Sequence, residues 1–136
     1  LRDHSSAAGR IYAVTGGVSE AVDRTVTRLK PERQLNLRAQ QANGAAECKK
    51  LLAEIRSGTI TTNFIEGMGC VGGCVGGPKA LIAKEDGTAH VREYCQQAQY
   101  QTPVDNPYVI ELLHKLGFET VESLVQGENM FTRSFS

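Results

Sequence analysis

The sequence has no net charge, no long apolar run and no leader pattern, and each absence removes a class of function. Fifteen lysines and arginines against fifteen aspartates and glutamates leave no net field at neutral pH. That argues against non-specific nucleic-acid binding, which needs a basic surface. No apolar stretch approaches the ~20 residues of a transmembrane helix, so no membrane span is expected. The chain starts Leu1-Arg2-Asp3-His4, without an initiator methionine and without a signal-peptide pattern. A start of this kind leads to the expectation of a fragment or excised domain. Internal repeats and low-complexity segments are also absent.

What is there reads as a globular chain. Its 136 residues suit one domain, spanning 1–136, and 40% hydrophobic with 22% charged residues is enough for a real core. The four cysteines could form two disulfides. Disulfide scaffolds, however, serve small secreted domains that cannot build a core, so reduced thiols in a cytoplasmic setting are the expectation.

The richest stretch is Glu66-Gly67-Met68-Gly69-Cys70-Val71-Gly72-Gly73-Cys74-Val75-Gly76-Gly77-Pro78, where six of the eleven residues from Gly67 to Gly77 are glycine. Glycine in such density marks close backbone approach to something. In a helical turn residues i and i+4 share a face, so Cys70 and Cys74 could present two sulfurs to one object. The apolar run Ala80-Leu81-Ile82-Ala83 suggests that Cys74 opens a helix. A helix N-terminus favours thiolate and offers free N–H donors to an anion.

Taken in order, Arg10–Val14 reads as a buried strand ending at Thr15-Gly16-Gly17. Val18, Ala21, Val22, Thr25, Val26 and Leu29 then recur at helical spacing, stopped by Pro31. Leu35–Ala39 reads as a second strand with Asn43-Gly44 turning out of it. Cys48, Leu51, Leu52 and Ile55 mark a helix ending at Ser57-Gly58. Thr59–Ile65, rich in β-branched residues, reads as a third strand leading into the cysteine loop. Helices are expected from Cys74 to Lys84, from Thr88 to Ala98, and from Asn106 (N-cap) through Pro107 to Gly117. The tail carries a weak apolar set, Val121, Leu124 and Val125. Strands each followed by a helix predict an α/β fold, a three-layer α/β/α arrangement on a short, mainly parallel sheet. Ligands in such sheets bind beyond the carboxyl ends of the strands, where the Gly16-Gly17 turn would sit.

Cys48 and Cys95 fall on apolar helix faces and read as core packing. His4, His90 and His114 are scattered and are not expected to be ligands.

Glu-x-Met-x-Cys-x-x-Gly-Cys-x-x-Gly, at residues 66–77, resembles the last of three signature motifs of the iron-only (FeFe) hydrogenase catalytic subunit. Thr15-Gly16-Gly17-Val18-x-Glu20-Ala21 and Asn43-Gly44 resemble further turns of that family, so the likeness covers most of residues 10 to 80. Two features depart from it: the first two cysteine motifs are absent, and Gly76-Gly77-Pro78-Lys79 replaces the usual ending. The resemblance implies the C-terminal part of a catalytic subunit, one lobe of its H-cluster domain. It further implies Cys70 and Cys74 as ligands of a 4Fe–4S cluster, with Cys74 bridging to the two-iron subcluster. Met68, Gly16, Gly17 and Gly73 would line the cofactor pocket. The reaction implied is reversible reduction of protons to dihydrogen with a ferredoxin-like electron carrier. The partner would be the rest of the subunit, which carries the other cysteine motifs, and the chain alone is expected to hold no complete cluster and to be inactive. Two alternatives stay open: an iron–sulfur assembly or sensing relative without hydrogen turnover, and a metal-free redox dithiol domain.

Overall fold

The computed structural model describes residues 4–34 and 36–127. Its centre is a β-α-β unit. Strand β1 (Ala39–Asn43), helix α3 (Ala45–Ser57) and strand β2 (Phe64–Met68) give two parallel strands in register from Ala39 opposite Phe64 to Asn43 opposite Met68. Helix α2 (Gly17–Leu29) lies on one face of this ribbon and α3 on the other. Strand alternation sorts the side chains between them. Gln41 and Glu66, paired in register, reach Ser19 of α2. Ala42, Ile65 and Gly67 instead line an apolar cavity of about 130 Å³ with Cys48, Leu51, Leu52 and Ile55 of α3. The chain is thus α/β with a parallel sheet between helices, as its pattern predicts.

The strand count is corrected. Arg10–Val14 is not a strand: helix α1 (Ala7–Arg10), N-capped by Ser6, runs into a 3-10 turn at Ile11–Ala13. Helical winding puts Ala7, Ala8, Ile11 and Val14 on one face, and all four are buried with Ala21, Cys95 and Ala98 in the main apolar cluster. Starting the apolar run at Arg10 hides the period, which only the two preceding alanines reveal. Among the described residues Ile11 and Val14 are the largest side chains so fully enclosed.

The other two strands form later than expected. β1 follows the proposed Leu35–Ala39 run and overlaps it only at Ala39; Leu35 itself lies outside the described residues. Asn63 sets the start: its side chain accepts from the Arg38 N–H at 2.7 Å and donates to the Asn36 carbonyl at 2.9 Å. Pairing then proceeds through Ala-Gln-Gln-Ala-Asn, a run of weak strand formers, because small Ala42 fits under α3 and Gln41 reaches Ser19. Thr59 still bonds back to the Glu54 carbonyl at the end of α3, which delays β2 to Phe64.

No helix runs from Cys74 to Lys84. Only Cys74–Gly76 forms a 3-10 turn, followed by bends to Ala83. Pro78 cannot donate to a helix, and Gly76 and Gly77 disfavour one. Leu81 is left 99% exposed. Helix α4 (Lys84–Gln96) therefore starts earlier than the expected Thr88 and packs on α1. Helix α5 (Pro107–Lys115) has the expected caps, with Asn106 Oδ1 accepting from Tyr108 N at 3.0 Å and Gly117 at φ +87°. The weak apolar set of the tail belongs to α6 (Val121–Gln126), opened by a reciprocal Thr120–Ser123 cap.

Candidate functional site

Three glycine turns meet at the carboxyl end of the ribbon, where ligand sites of parallel sheets sit. They are Thr15-Gly16-Gly17 before α2, Asn43-Gly44 after β1, and the cysteine loop from Gly69 to Gly77 after β2.

Asn43, the last residue of β1, joins all three. Its side-chain oxygen accepts from the Gly72 N–H at 2.7 Å and the Thr15 hydroxyl at 3.0 Å. The Gly44 N–H meanwhile donates to the Met68 carbonyl at 2.8 Å. Asn43's own N–H donates to Glu47 Oε2 at 2.7 Å. The Thr15 N–H donates to the Gly72 carbonyl at 3.3 Å, and Val14 makes an antiparallel bridge to Gly73.

The glycines are demanded by this crowding. A Cβ on Gly73 would stand 2.7 Å from the Ala13 carbonyl oxygen, and one on Gly17 would collide with the Ile11 carbonyl. Gly16 has room for a side chain but adopts φ +86°, a left-handed conformation that other residues enter at a cost. Gly69 faces open space.

Within the loop, Cys70 is half-buried and its carbonyl accepts from the Gly73 N–H at 3.1 Å. Gly72 and Gly73 then both take positive φ, so no helical turn links Cys70 to Cys74 and the shared-face argument for the pair does not apply. Cys74 is exposed and opens the short 3-10 turn. Both cysteines remain on one short loop. Met68 ends β2 half-buried, and the strand pleat puts it on the same face as Glu66.

Cys48 and Cys95 are elsewhere. The Cys95 thiol is buried and donates to the Ala7 carbonyl at 3.3 Å. Cys48 lies half-buried under the sheet, its thiol 3.7 Å from the Ala42 and Met68 carbonyl oxygens. His4 stacks on Tyr108, while His90 and His114 are exposed.

Two contacts of the site are not legible in the sequence, although Glu66 opens the quoted motif. Glu66 is only 4% exposed, and both its carboxylate oxygens accept: Oε1 from the Gly16 N–H at 2.9 Å, Oε2 from the Ser19 N–H at 2.8 Å and the Ser19 hydroxyl. Ser19 reads as an ordinary polar position of a helix first turn. Glu66 falls just past the expected Thr59–Ile65 strand, and nothing local shows that it lies buried within β2.

The charges with displaced titration lie on other elements. The Thr102 hydroxyl, with Arg28, holds the Asp105 carboxyl below the usual range. Lys115 does the same for Glu111 on α5.

Among the described residues no three His, Cys, Asp or Glu side chains converge to hold a metal ion. The donors in the loop are two thiols, soft ligands suited to iron in a cluster. A cluster with four thiolates would need two more from outside, so Cys70 and Cys74 fit part of a shared site and not a closed one.

Residues 1–78 match the family described as iron only hydrogenase large subunit, C-terminal domain. The match takes in all three glycine turns and both loop cysteines and ends at Pro78, so α4, α5 and α6 lie beyond it. No curated protein matches the chain.

Proposed function

The chain belongs to the iron-only hydrogenase large-subunit family, through its C-terminal domain, and from that membership we propose that it supplies two cysteine ligands, Cys70 and Cys74, to the iron–sulfur H-cluster. The observation that supports this reading most is the crossing of three glycine turns at the carboxyl end of a parallel ribbon, with both thiols on the loop between them. In this reading Cys70 and Cys74 would hold a 4Fe–4S cluster together with two cysteines from the rest of the catalytic subunit, and Cys74 would be the ligand next to the two-iron subcluster. The bound cluster supplies electron transfer and hydride chemistry for the reversible reduction of protons to dihydrogen.

The chain's own residues do the holding. Asn43 and the Thr15–Gly17 turn fix the backbone of the loop that carries the thiols. Met68, at the strand end, contributes an apolar wall, and such a wall sets solvent access and redox potential. Gly16, Gly17 and Gly73 let the turns close to within backbone contact beside the pocket. The electron donor is a ferredoxin-like carrier, the compartment is the cytoplasm, and the chain without the remaining ligands is inactive.

The test is iron and acid-labile sulfide analysis of the full-length parent protein prepared without oxygen, followed by hydrogen evolution after the two-iron cofactor is supplied. Bound iron with hydrogen evolution supports the reading. Bound iron without turnover would move the protein to an assembly or sensing role. Absence of iron would leave a redox dithiol domain.

A further inference from the structure

We propose that Glu66 is the positioning residue of the cysteine loop. It closes the segment from Glu66 to Gly73 as a clasp on the single turn from Val14 to Ser19. The inference rests on the cluster-ligand reading for its purpose, but on geometry for its content. The segment is fastened to that turn at both ends. At one end the Glu66 carboxylate, on β2, accepts from the Gly16 and Ser19 N–H groups and the Ser19 hydroxyl. At the other, Gly72 and Gly73 meet Thr15 and Val14 through backbone contacts. Cys70 sits in the span between the two fastenings, four residues from Glu66 and three from Gly73.

The chemistry of the first fastening is specific. A buried carboxylate without partners is strongly unfavourable, and it is tolerated when donors surround it. Here the donors are backbone N–H groups at the positive end of α2, a thirteen-residue helix. Each oxygen of Glu66 is an acceptor, and its three hydrogen-bond partners are donors to it. A glutamine of the same size would turn one oxygen into an NH₂ group facing an N–H, and no rotation of the amide would satisfy all three donors. Charge at this position therefore holds the α2 turn against the strand that leads into Met68 and Cys70.

The experiment is native-state alkylation of the full chain with iodoacetamide, following each cysteine separately by peptide mass spectrometry. Four proteins are compared: the unaltered chain, Glu66→Gln, Glu66→Ala, and Glu20→Gln. The last removes a carboxylate from the same helix end without touching the clasp. The expected result is a rise of about tenfold in the Cys70 rate in both Glu66 variants, the change that one lost hydrogen bond to a charged group makes in a local opening equilibrium. Cys95, buried in the apolar cluster, stays at its original rate, and Glu20→Gln leaves Cys70 unchanged. A Cys70 rate unaltered in Glu66→Gln would overturn the proposal. So would Cys70 and Cys95 rising together, since that signature belongs to general loosening. Should Glu66→Ala fail to fold, Glu66→Gln carries the test. No iron enters the measurement, so a failure here leaves the cluster reading standing, and absence of iron from the parent protein would leave the clasp standing.

Discussion

The side-chain oxygen of Asn43 accepts from the Gly72 N–H at 2.7 Å, tying the end of β1 to the middle of the cysteine loop twenty-nine residues away. The same oxygen accepts from the Thr15 hydroxyl. Asn43→Ala should lower stability by about 1–2 kcal/mol, because it strands a loop donor and frees a second. Asn43→Asp keeps an acceptor at that place and should stay within about 0.5 kcal/mol of the original. Urea denaturation of the three proteins checks this. Equal loss in both variants would show that the oxygen is not what matters.

The glycines make a graded prediction. Gly17→Ala drives a methyl into the Ile11 carbonyl and should cost about 3 kcal/mol or more. Gly16→Ala has space but a positive φ, and should cost about 1–2 kcal/mol. Gly69→Ala meets neither obstacle and should be neutral within about 0.5 kcal/mol. Thermal melts in that order would verify the close approach of the turns. A destabilised Gly69→Ala would contradict the open space beside it.

Ligand cysteines and core cysteines should separate in the full-length parent. Cys74→Ser abolishes hydrogen turnover and Cys70→Ser impairs iron retention, since oxygen is a harder ligand than thiolate. Cys95→Ala keeps its iron and loses about 1–2 kcal/mol of stability from a small buried side chain. Iron content measured side by side decides. Loss of iron from Cys95→Ala with retention in Cys74→Ser would put the site in the wrong place.

Asp105 should give the chain an acid-side dependence. Its carboxyl is held low by Thr102 and Arg28 in the folded state, so the stabilisation is fully present above the unfolded value of about 3.9. It is lost as pH falls through the lowered native value. With Arg28 largely exposed, the contribution is at most about 1 kcal/mol. Asp105→Asn should melt lower than the original at pH 7, with the gap shrinking below about pH 4. A constant gap across that range would assign the effect to packing.

How much of this was legible beforehand depended on whether the signal was local. The caps of α5, Asn106-Pro107 and Gly117, read straight from the sequence because capping is settled within one turn. The α2 pattern and its stop at Pro31 read equally well. The turns at Asn43-Gly44 and at the cysteine loop do lie at strand ends, since glycine density reports backbone crowding directly, whereas Gly16-Gly17 follows a 3-10 turn and not the expected strand. The strands misread because β1 is made of residues with little preference for extension, chosen for what lies over them. Arg10–Val14 misread because five apolar-rich residues fit a strand or a helix alike. Glu66 and Ser19 could not be joined from sequence at all, being forty-seven residues apart with nothing periodic linking them.

The N-terminal helix α1 is seated by parts of the chain made long after it. The Ala7 N–H donates to the Tyr100 carbonyl, the Ala8 N–H to that of Gln101, and the Cys95 thiol to the Ala7 carbonyl, eighty-eight residues on. During synthesis Ile11 and Val14 can pack early on Ala21 of α2, but their cover is completed only when Cys95 and Ala98 have left the ribosome, after the cysteine loop. Contacts so distant in sequence form slowly. Until then the apolar seat from which Val14 meets Gly73 is only partly built.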